Sequence, residues 1–203
     1  MRIATWNVNS IRARLDRVVD WLEATDVDVL AIQETKCRDD QFPGEVFEGL
    51  GYAWAHHGTS QWNGVAVVSR VGLADVETTF PGQPHWGDPP AAEARALGAT
   101  CARIRVWSLY VPNGRELGHP HLAYKLGWLE ALRTAGLGWL GTDPGAQIAL
   151  TGDWNIAPYD EDVWDMAAFT GSTHVSPPER ASFSALLDAG FTDVVRPYTP
   201  GPG

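Results

Sequence analysis

The chain has 203 residues, of which 44% are hydrophobic and 20% charged, and its formal net charge is −10. This length and composition are those of one ordinary globular domain with a substantial core. The negative charge argues against a protein that coats nucleic acid through an extensive basic surface, because such binding needs many Lys and Arg side chains against the phosphates. It fits a site in which carboxylates gather to hold a cation.

The cysteine content and the absence of long apolar runs bear on location. Cys37 and Cys101 are the only cysteines and lie outside any CxxC pattern. Two isolated thiols are typical of a reduced, cytosolic protein. Residues 1–6 already have the pattern of a strand rather than of a signal peptide, and no apolar run approaches the ~20 residues that span a bilayer. We therefore predict a soluble, cytoplasmic protein that has no contact with a membrane.

The first predicted elements are a strand, a helix and a strand. Residues 3–7 form a strand that ends at Asn7. Ser10 is expected to cap a helix. The apolar residues of that helix follow helical spacing, at Ile11, Leu15, Val18, Val19 and Leu22. Residues 27–32 form a second, buried strand, which delivers Glu34 just beyond its end. Asn7 and Glu34 are thus predicted at two strand termini.

The middle of the chain predicts two strands, a long connection and a helix. Residues 64–69 form a strand, and residues 78–97, rich in proline, glycine and acid, form an exposed connection. Residues 101–111 form a strand that is stopped by a proline and an Asn-Gly pair, so Tyr110 lies near its end. Residues 122–135 form an amphipathic helix, whose apolar face carries Leu126, Leu129 and Leu132.

The next stretch, Leu150-Thr151-Gly152-Asp153-Trp154-Asn155, has an unusual order of residues. The apolar run of residues 147–150 ends abruptly in a glycine, an acid and an amide. This order predicts a buried strand with an oxygen-rich pair, Asp153 and Asn155, at its tip. Buried strands rarely end this way for packing reasons alone, so the pair is a candidate for an active site.

The last part of the chain is less regular. Ser176-Pro177-Pro178-Glu179 predicts a capping box with proline at the first helical position. The helix is expected to run to a stop at Gly190. Residues 191–195 predict a short strand or an extended loop, and residues 200–203, Pro-Gly-Pro-Gly, predict a turn.

Four predicted strand ends together present Asn7, Glu34, Tyr110 and the Asp153/Asn155 pair. Open α/β sheets bind ligands at the carboxyl ends of their strands, so we expect these side chains to face one crevice. The set is rich in oxygen and contains no thiolate and no paired histidines, which suits Mg²⁺ or Mn²⁺. A metal that neutralises phosphate oxygens, a carboxylate that activates water and a phenol that donates to phosphate are suited to hydrolysing phosphate esters.

Each of these residues also has a purely structural explanation. Glu34 also fits a helix N-cap neighbour or a surface acid. Asn7 and Asn155 could stabilise loops by bonding to their own backbone. Tyr110 fits a strand-end core tyrosine, and Asp153 a turn aspartate. The pattern as a whole favours a metal phosphoesterase and leaves these alternatives open.

Several of these segments resemble motifs of one known family, the exonuclease III family of abasic-site (AP) endonucleases. Residues 5–14 are similar to the opening of that family, and residues 30–36 to its metal-glutamate motif. Three further segments follow in family order: residues 63–70, Tyr110-Val111-Pro112-Asn113-Gly114, and Gly152-Asp153-Trp154-Asn155-Ile156-Ala157-Pro158. The resemblance covers essentially the whole chain.

The resemblance implies an α/β (α+β) fold, a four-layer sandwich of two mixed β-sheets packed face to face with helices outside, as a single domain over residues 1–203. It implies Mg²⁺-dependent cleavage 5′ to an abasic site in base excision repair, often with 3′-to-5′ exonuclease and 3′-phosphatase activity. The implied partner is double-stranded DNA with abasic sites or 3′ ends, bound by a monomer.

The resemblance also implies residue roles. Glu34 is similar to the principal metal ligand, and Asn7, Asp153 and Asn155 share the metal shell. Three residues are implied in catalysis: Tyr110 contacts the scissile phosphate, Asp153 positions water or serves the leaving group, and Asn155 orients the set. The candidate DNA-strand contacts are Trp62, Asn113 and Arg115. For these three, a surface arginine or a core tryptophan is a competing explanation.

The chain departs from the family pattern at its end. Full members continue beyond the point matching Gly203 and carry a late Ser-Asp-His motif, and nothing in the chain matches that motif. The six histidines lie elsewhere and receive no role, namely His56, His57, His85, His119, His121 and His174. We therefore expect a truncated member whose second sheet is incomplete, leaving apolar faces and edges exposed. We expect little or no activity from this chain alone.

Two other classes of function remain open. The first is another metal phosphoesterase of the same fold, such as a phosphoinositide phosphatase or a deoxyribonuclease I relative. The second is a non-enzymatic product, either a DNA-binding remnant or an unstable fragment. The segments at residues 10–14 and 153–158 favour the AP endonuclease.

Overall fold

The computed structural model describes residues 1–199, so the turn predicted at residues 200–203 lies outside the described residues. The chain divides into two compact units. The first comprises residues 1–80, 85–110 and 145–154, and the second comprises residues 81–84, 111–144 and 155–199. The first unit contains both β-sheets, and the second contains one helix that lies between the last two strands in sequence and one helix that follows them.

The first unit contains two four-stranded mixed sheets. The strands of one sheet are β1 (Ile3–Asn7), β2 (Val29–Gln33), β3 (Ala53–His57) and β4 (Val65–Ser69), in the order β1-β2-β4-β3. The strands of the other are β5 (Ala74–Glu77), β6 (Ala96–Cys101), β7 (Ile104–Tyr110) and β8 (Ile148–Asp153), in the order β5-β6-β7-β8. One pair in each sheet is parallel, β1 with β2 and β7 with β8, and the remaining pairs are antiparallel.

Strand β2 shows why these residues form a layered core. It reads as a continuous apolar run because it is buried on both faces. Leu30 and Ile32 lie in one core cluster with residues of the helices α1 (Ile11–Ala24) and α2 (Gly44–Gly49). Val29 faces the opposite way, in a cluster shared with the second sheet. The predicted face-to-face packing of two mixed sheets is thus confirmed, with α1 and α2 covering the outer face of the first.

A buried polar contact joins the two sheets near the ends of β2 and β7. The Gln33 amide nitrogen donates to Ser108 Oγ at 2.9 Å, and that hydroxyl donates to the Ile32 carbonyl at 2.9 Å. Both side chains are fully buried. Because a buried polar group is costly unless it is bonded, this pair fixes the register between the strands that carry Glu34 and Tyr110.

Parallel pairing of β7 and β8 depends on a glycine. Gly152 has a φ of +145°, and a Cβ placed there would lie 1.9 Å from the Leu109 carbonyl oxygen. Any larger residue would push the strands apart where Gly152 pairs with Leu109, directly beside the pair of Tyr110 with Asp153. The glycine of the Thr-Gly-Asp sequence is therefore required by close backbone approach.

The second unit is built on α3 (Pro120–Thr142) and α4 (Pro177–Asp188), which pack together. Pro120 starts α3, and the ring of His119 accepts from the backbone N–H of His121 at 2.9 Å. A buried ion pair, Lys125 with Glu179 at 2.5 Å, links the two helices. Within residues 1–199, no helix has both the length and the apolar character needed to cross a membrane.

Several element predictions are confirmed with shifted bounds. The strands predicted at residues 3–7, 27–32, 64–69 and 147–150 correspond to β1, β2, β4 and β8. The helix predicted at residues 122–135 is longer at both ends. Residues 191–195 form an extended loop without a strand.

Both cysteines are free and buried, and burial raises the pKa of each thiol.

Other predictions are wrong. The predicted exposed connection at residues 78–97 includes the start of β6, and Phe80 and Leu97 are buried. The strand predicted from residue 101 is the second arm of a hairpin, which begins at Ile104. Strand β8 is half-buried along its whole length rather than buried. The β6–β7 hairpin shows little alternation between apolar and polar residues, because β6 is buried almost throughout.

Both predicted helix caps are also wrong. Ser10 stands at the start of α1 but makes no side-chain capping bond, and its backbone N–H donates to the Glu34 carbonyl at 2.7 Å. Ile11 N–H donates to the Thr35 carbonyl at 3.1 Å. At α4, the Ser176 hydroxyl donates to the Glu179 carboxylate instead of accepting from the backbone. Tertiary partners have replaced the local cap at α1, whereas at α4 the serine hydroxyl bonds to the glutamate three residues further along the chain.

Candidate active site

Four of the predicted site residues come together in the first unit. Asn7 is the last residue of β1, Glu34 follows β2, Tyr110 ends β7 and Asp153 ends β8. The Asn7 amide nitrogen donates both to Glu34 Oε1, at 2.9 Å, and to Asp153 Oδ2, at 2.8 Å. Tyr110 is hydrogen-bonded to Glu34. The carboxyl ends of two parallel strand pairs thus hold two carboxylates, one amide and one phenol.

Glu34 is held as a carboxylate. Burial by itself would raise its pKa, but hydrogen bonds from Asn7, Lys36 and Tyr110 outweigh burial and lower the pKa below its usual value. Lys36 Nζ lies 2.8 Å from Glu34 Oε2. A charged carboxylate is the form in which this residue can bind a cation or orient a donor.

Tyr110 is held as a neutral phenol. Burial, followed by the nearby charge of Glu34, raises its pKa above the usual value, although the Arg95 guanidinium acts in the opposite direction. Arg95 lies 4.9 Å from the centre of the Tyr110 ring and is itself paired with Glu93 at 2.7 Å. The phenol therefore keeps its proton and can donate a hydrogen bond.

The backbone around Glu34 is in an uncommon conformation. Glu34 and Lys36 have φ values of 53° and 52°, and the facing Asn63 has 60°. Positive φ is rare for residues other than glycine and persists only where the surroundings enforce it. Here the Thr35 N–H donates to the Gly64 carbonyl and the Lys36 N–H to the Asn63 carbonyl, at 3.1 and 3.0 Å. The loop that presents Glu34 is thus held by the loop before β4.

Beneath this loop lies a buried histidine that the sequence did not single out. His56 Nε2 is 2.8 Å from Thr35 Oγ1, and His56 Nδ1 is 2.8 Å from the Asp39 carboxylate. Burial lowers the pKa of His56 to about 4, against the attraction of Asp39. His56 is therefore neutral at physiological pH and connects the Glu34 loop to β3.

We expect His56 to lower the free energy of unfolding as the pH falls. Between its unfolded pKa near 6.5 and its folded value of about 4, the unfolded chain binds a proton that the folded chain does not. The free energy of unfolding should therefore decline by up to about 3 kcal/mol as pH falls through this window. Urea unfolding of wild type and His56→Gln from pH 7 to 4 measures this, and the variant should show the shallower decline. The exposed His85→Gln is the control, and parallel curves for wild type and His56→Gln would refute the assignment.

The second unit holds Asn155. Its amide nitrogen donates to the Val111 carbonyl at 2.9 Å, and its Oδ1 lies 3.2 Å from His174 Nε2. The Asn155 carbonyl accepts from the buried Lys125 ammonium at 2.5 Å. Asn155 has a φ of 50°, which asparagine tolerates better than most residues. Both ends of its amide are thus engaged inside this unit.

The three predicted substrate contacts have different surroundings. Trp62, in the first unit, is 66% exposed. In the second unit Asn113 and Arg115 are both exposed. The Asn113 side chain accepts from the Arg115 N–H at 3.0 Å, which closes a turn, and Arg115 has a φ of 62°. Trp62 is therefore not a core tryptophan, whereas Asn113 does have the loop-stabilising contact that lone asparagines often make.

Sequence reasoning missed four residues that support the site. Lys36 and Arg95 pair with Glu34 and Tyr110, and Lys125 and His174 hold Asn155. Lys36 had a signal, because it ends the segment of residues 30–36 that resembles the metal-glutamate motif. The other three are far from their partners in sequence and carry no periodic signal.

The residues of the first unit fit a hard divalent cation. Among residues 1–199, no group of three or more His, Cys, Asp or Glu side chains could hold a metal by itself. Glu34 and Asp153 offer two carboxylates, which the Asn7 NH₂ group bridges at 2.9 and 2.8 Å. Mg²⁺ usually binds through one or two carboxylates and completes its shell with water and substrate oxygens, so this donor set suits it.

Comparison with known proteins decides the family. Residues 4–203 match the model of the endonuclease/exonuclease/phosphatase family. This chain belongs to that family. The resemblance drawn from the sequence motifs is thereby confirmed, and the chain is a member of a family of hydrolytic enzymes.

Individual members of the endonuclease/exonuclease/phosphatase family are similar along nearly the whole chain. A 3′-5′ exonuclease from Neisseria meningitidis, NExo, is 36% identical with a TM-score of 0.89, over 97% of this chain and 74% of that one. An AP endonuclease from Archaeoglobus fulgidus is 34% identical with a TM-score of 0.86, over the same shares. The DNA repair nuclease APEX1 of Danio rerio is 28% identical over 98% of this chain, which spans 63% of its length. The predicted fold class is confirmed by these structures.

Proposed function

We propose that this protein is a Mg²⁺- or Mn²⁺-dependent DNA repair nuclease of the exodeoxyribonuclease III type. It would hydrolyse the phosphodiester 5′ to abasic sites and act on 3′ ends as an exonuclease and phosphatase. Double-stranded DNA would be bound by a monomer. The observation that carries the proposal is the Asn7 amide bridging Glu34 and Asp153 beside the neutral Tyr110 phenol. The NExo and AP endonuclease relatives favour DNA as substrate.

In this proposal, the strand-end residues divide the chemistry. Glu34 would be the principal ligand of a bound metal, and Asn7, Asp153 and Asn155 would contribute the oxygens of their side chains. A bound Mg²⁺ would neutralise charge on the non-bridging phosphate oxygens. Tyr110 keeps its proton and can turn from Glu34 to donate to the scissile phosphate. Asp153, held through the Asn7 amide, accepts a proton from the attacking water or orients it.

The proposed substrate contacts lie on exposed side chains. Trp62 can stack on a base or sugar, a contact worth about 1–3 kcal/mol per base in single-strand binders. Arg115 can pair with a phosphate, and Asn113 fixes the turn that presents it. The net charge of −10 makes such local contacts, rather than a broad basic surface, the means of holding DNA.

The proposal is tested with a synthetic abasic duplex and a soluble phosphoinositide as competing substrates. We expect incision of the abasic strand 5′ to the lesion with Mg²⁺ and none with EDTA. The assay uses enzyme in excess over DNA, so that the incision rate of a single turnover is measured.

Each outcome separates the candidate functions. Preferential release of phosphate from the phosphoinositide would replace the nuclease by another phosphoesterase of the fold. Binding of the duplex with no Mg²⁺-dependent incision would favour a non-catalytic DNA-binding product. Mg²⁺-dependent incision 5′ to the abasic site would uphold the nuclease.

A further inference from the structure

The side-chain amide of Asn155 has one defined orientation. Its nitrogen donates to the Val111 carbonyl at 2.9 Å, so its oxygen points the other way, toward His174 Nε2 at 3.2 Å. An amide oxygen only accepts hydrogen bonds, so this contact requires a proton on Nε2 of the imidazole. A rotated amide would place its NH₂ group against that N–H and its oxygen against the Val111 carbonyl. Both contacts would then be repulsive.

His174 is itself tightly placed. Its backbone N–H donates to Glu179 Oε1 at 2.9 Å, and its carbonyl accepts from the Ala157 N–H at 2.8 Å. Nδ1 of its ring lies 3.1 Å from the oxygen of the buried Thr173 hydroxyl, which is also 3.4 Å from the Arg115 carbonyl. His174 has a φ of 76°, an uncommon backbone conformation for histidine. Its ring is thus aimed at Asn155 from a backbone that is fixed at both sides.

The buried ion pair connects this contact to the rest of the second unit. Glu179 accepts from the His174 backbone and from Lys125, and Lys125 also donates to the Asn155 carbonyl. Backbone and side chain of Asn155 are therefore both tied to the same group of residues. The ammonium holds the position of Asn155 in space, and the imidazole holds the rotation of its amide.

We propose that His174 is a positioning residue, which selects the orientation of the Asn155 amide that the reaction uses. The inference rests on the proposed function for its effect on rate, but the contact itself is independent of it. If the Asn155 amide turned over, its NH₂ group would take the place of the oxygen that the proposed metal shell uses. A small misplacement in an active site can cost about 10²-fold in rate. The bond from His174 Nε2 keeps the amide oxygen of Asn155 in one orientation.

The kinetic test uses two replacements of similar size. His174→Leu keeps volume but removes the N–H, whereas His174→Gln can supply an amide N–H in its place. We expect His174→Leu to lower the single-turnover incision rate roughly 10- to 100-fold, with little change in DNA affinity. His174→Gln should restore most of the rate. A leucine variant as fast as wild type would overturn the proposal.

A double-mutant cycle shows whether His174 acts through Asn155. In an Asn155→Ala background, His174→Leu should cause no further loss of rate, because the group it orients is gone. Equal losses in the two backgrounds would mean that His174 acts on something else. His85→Leu, at an exposed histidine, is the matched control and should incise as wild type does.

A spectroscopic readout separates this inference from the proposed function. The side-chain NH₂ resonances of Asn155, assigned by their loss in Asn155→Ala, should shift in His174→Leu and return toward wild type in His174→Gln. His85→Leu should leave them in place. If wild type fails to incise DNA but these resonances respond, the function is wrong and the positioning contact stands. If they do not respond, the contact itself is refuted, whatever the activity.

Discussion

Replacing Glu34 with glutamine is expected to lower Mg²⁺-dependent incision at least about 100-fold, which is the upper end of what losing an outer-shell partner of a metal ligand costs. Glutamine can still accept from Asn7 through its amide oxygen, so the local hydrogen bond survives. It cannot supply the negative charge that a cation needs, and its NH₂ group would face the Lys36 ammonium. The loss should therefore appear in metal binding more than in folding.

Metal titration separates these two effects. Tryptophan fluorescence can follow Mg²⁺ addition, since Trp154 stands between Asp153 and Asn155. The Glu34→Gln chain should need much more Mg²⁺, while its free energy of unfolding changes by about 1 kcal/mol or less, as for a partly exposed ion pair. Glu23→Gln removes the same charge at an exposed site and should change neither. A Glu34→Gln chain that unfolds but responds normally to metal would exclude the ligand role.

Replacing Lys125 with methionine is expected to cost about 3–5 kcal/mol of folding free energy, because it leaves Glu179 buried without its cation. Both side chains of this pair are fully buried, and the pKa of Glu179 is lowered despite burial by bonds from Lys125, Ser176 and the His174 backbone. Its stabilising contribution is present above the unfolded glutamate pKa. It is lost as pH falls through the lowered folded value.

Urea unfolding of three variants measures this cost. Arg133→Met breaks an exposed ion pair with Glu130 on the same helix, and should cost about 0–1 kcal/mol. Adding Glu179→Leu to Lys125→Met removes the stranded charge and should recover part of the loss. If Lys125→Met is no more harmful than Arg133→Met, the buried pair does not hold the second unit together.

The site was predictable where local pattern and sheet geometry agree. Asn7, Glu34, Tyr110 and Asp153 each follow an apolar strand, and the carboxyl ends of parallel strands meet at one edge. Those four were therefore placed together by the sequence, and the structure places them so. The cap prediction at Ser10 was wrong because local pattern and tertiary contacts disagree there. Serine is a favourable capping residue, but the N–H groups of Ser10 and Ile11 donate to carbonyls of the Glu34 loop.

The sequence by itself determined β1, β2, β4, β7 and β8, the polar residues at four strand ends and the family, because continuous apolar runs and turn residues are local features of the chain. Only the tertiary structure decided which polar atoms meet. The Asn7 amide bridges acids that are 27 and 146 residues away from it, and His174 reaches Asn155 across 19 residues. Contacts over such separations depend on strand order and side-chain packing, for which a single sequence carries no periodic signal. The stretch from Thr151 to Asn155 could thus be recognised from its residues, but what orients its asparagine could not.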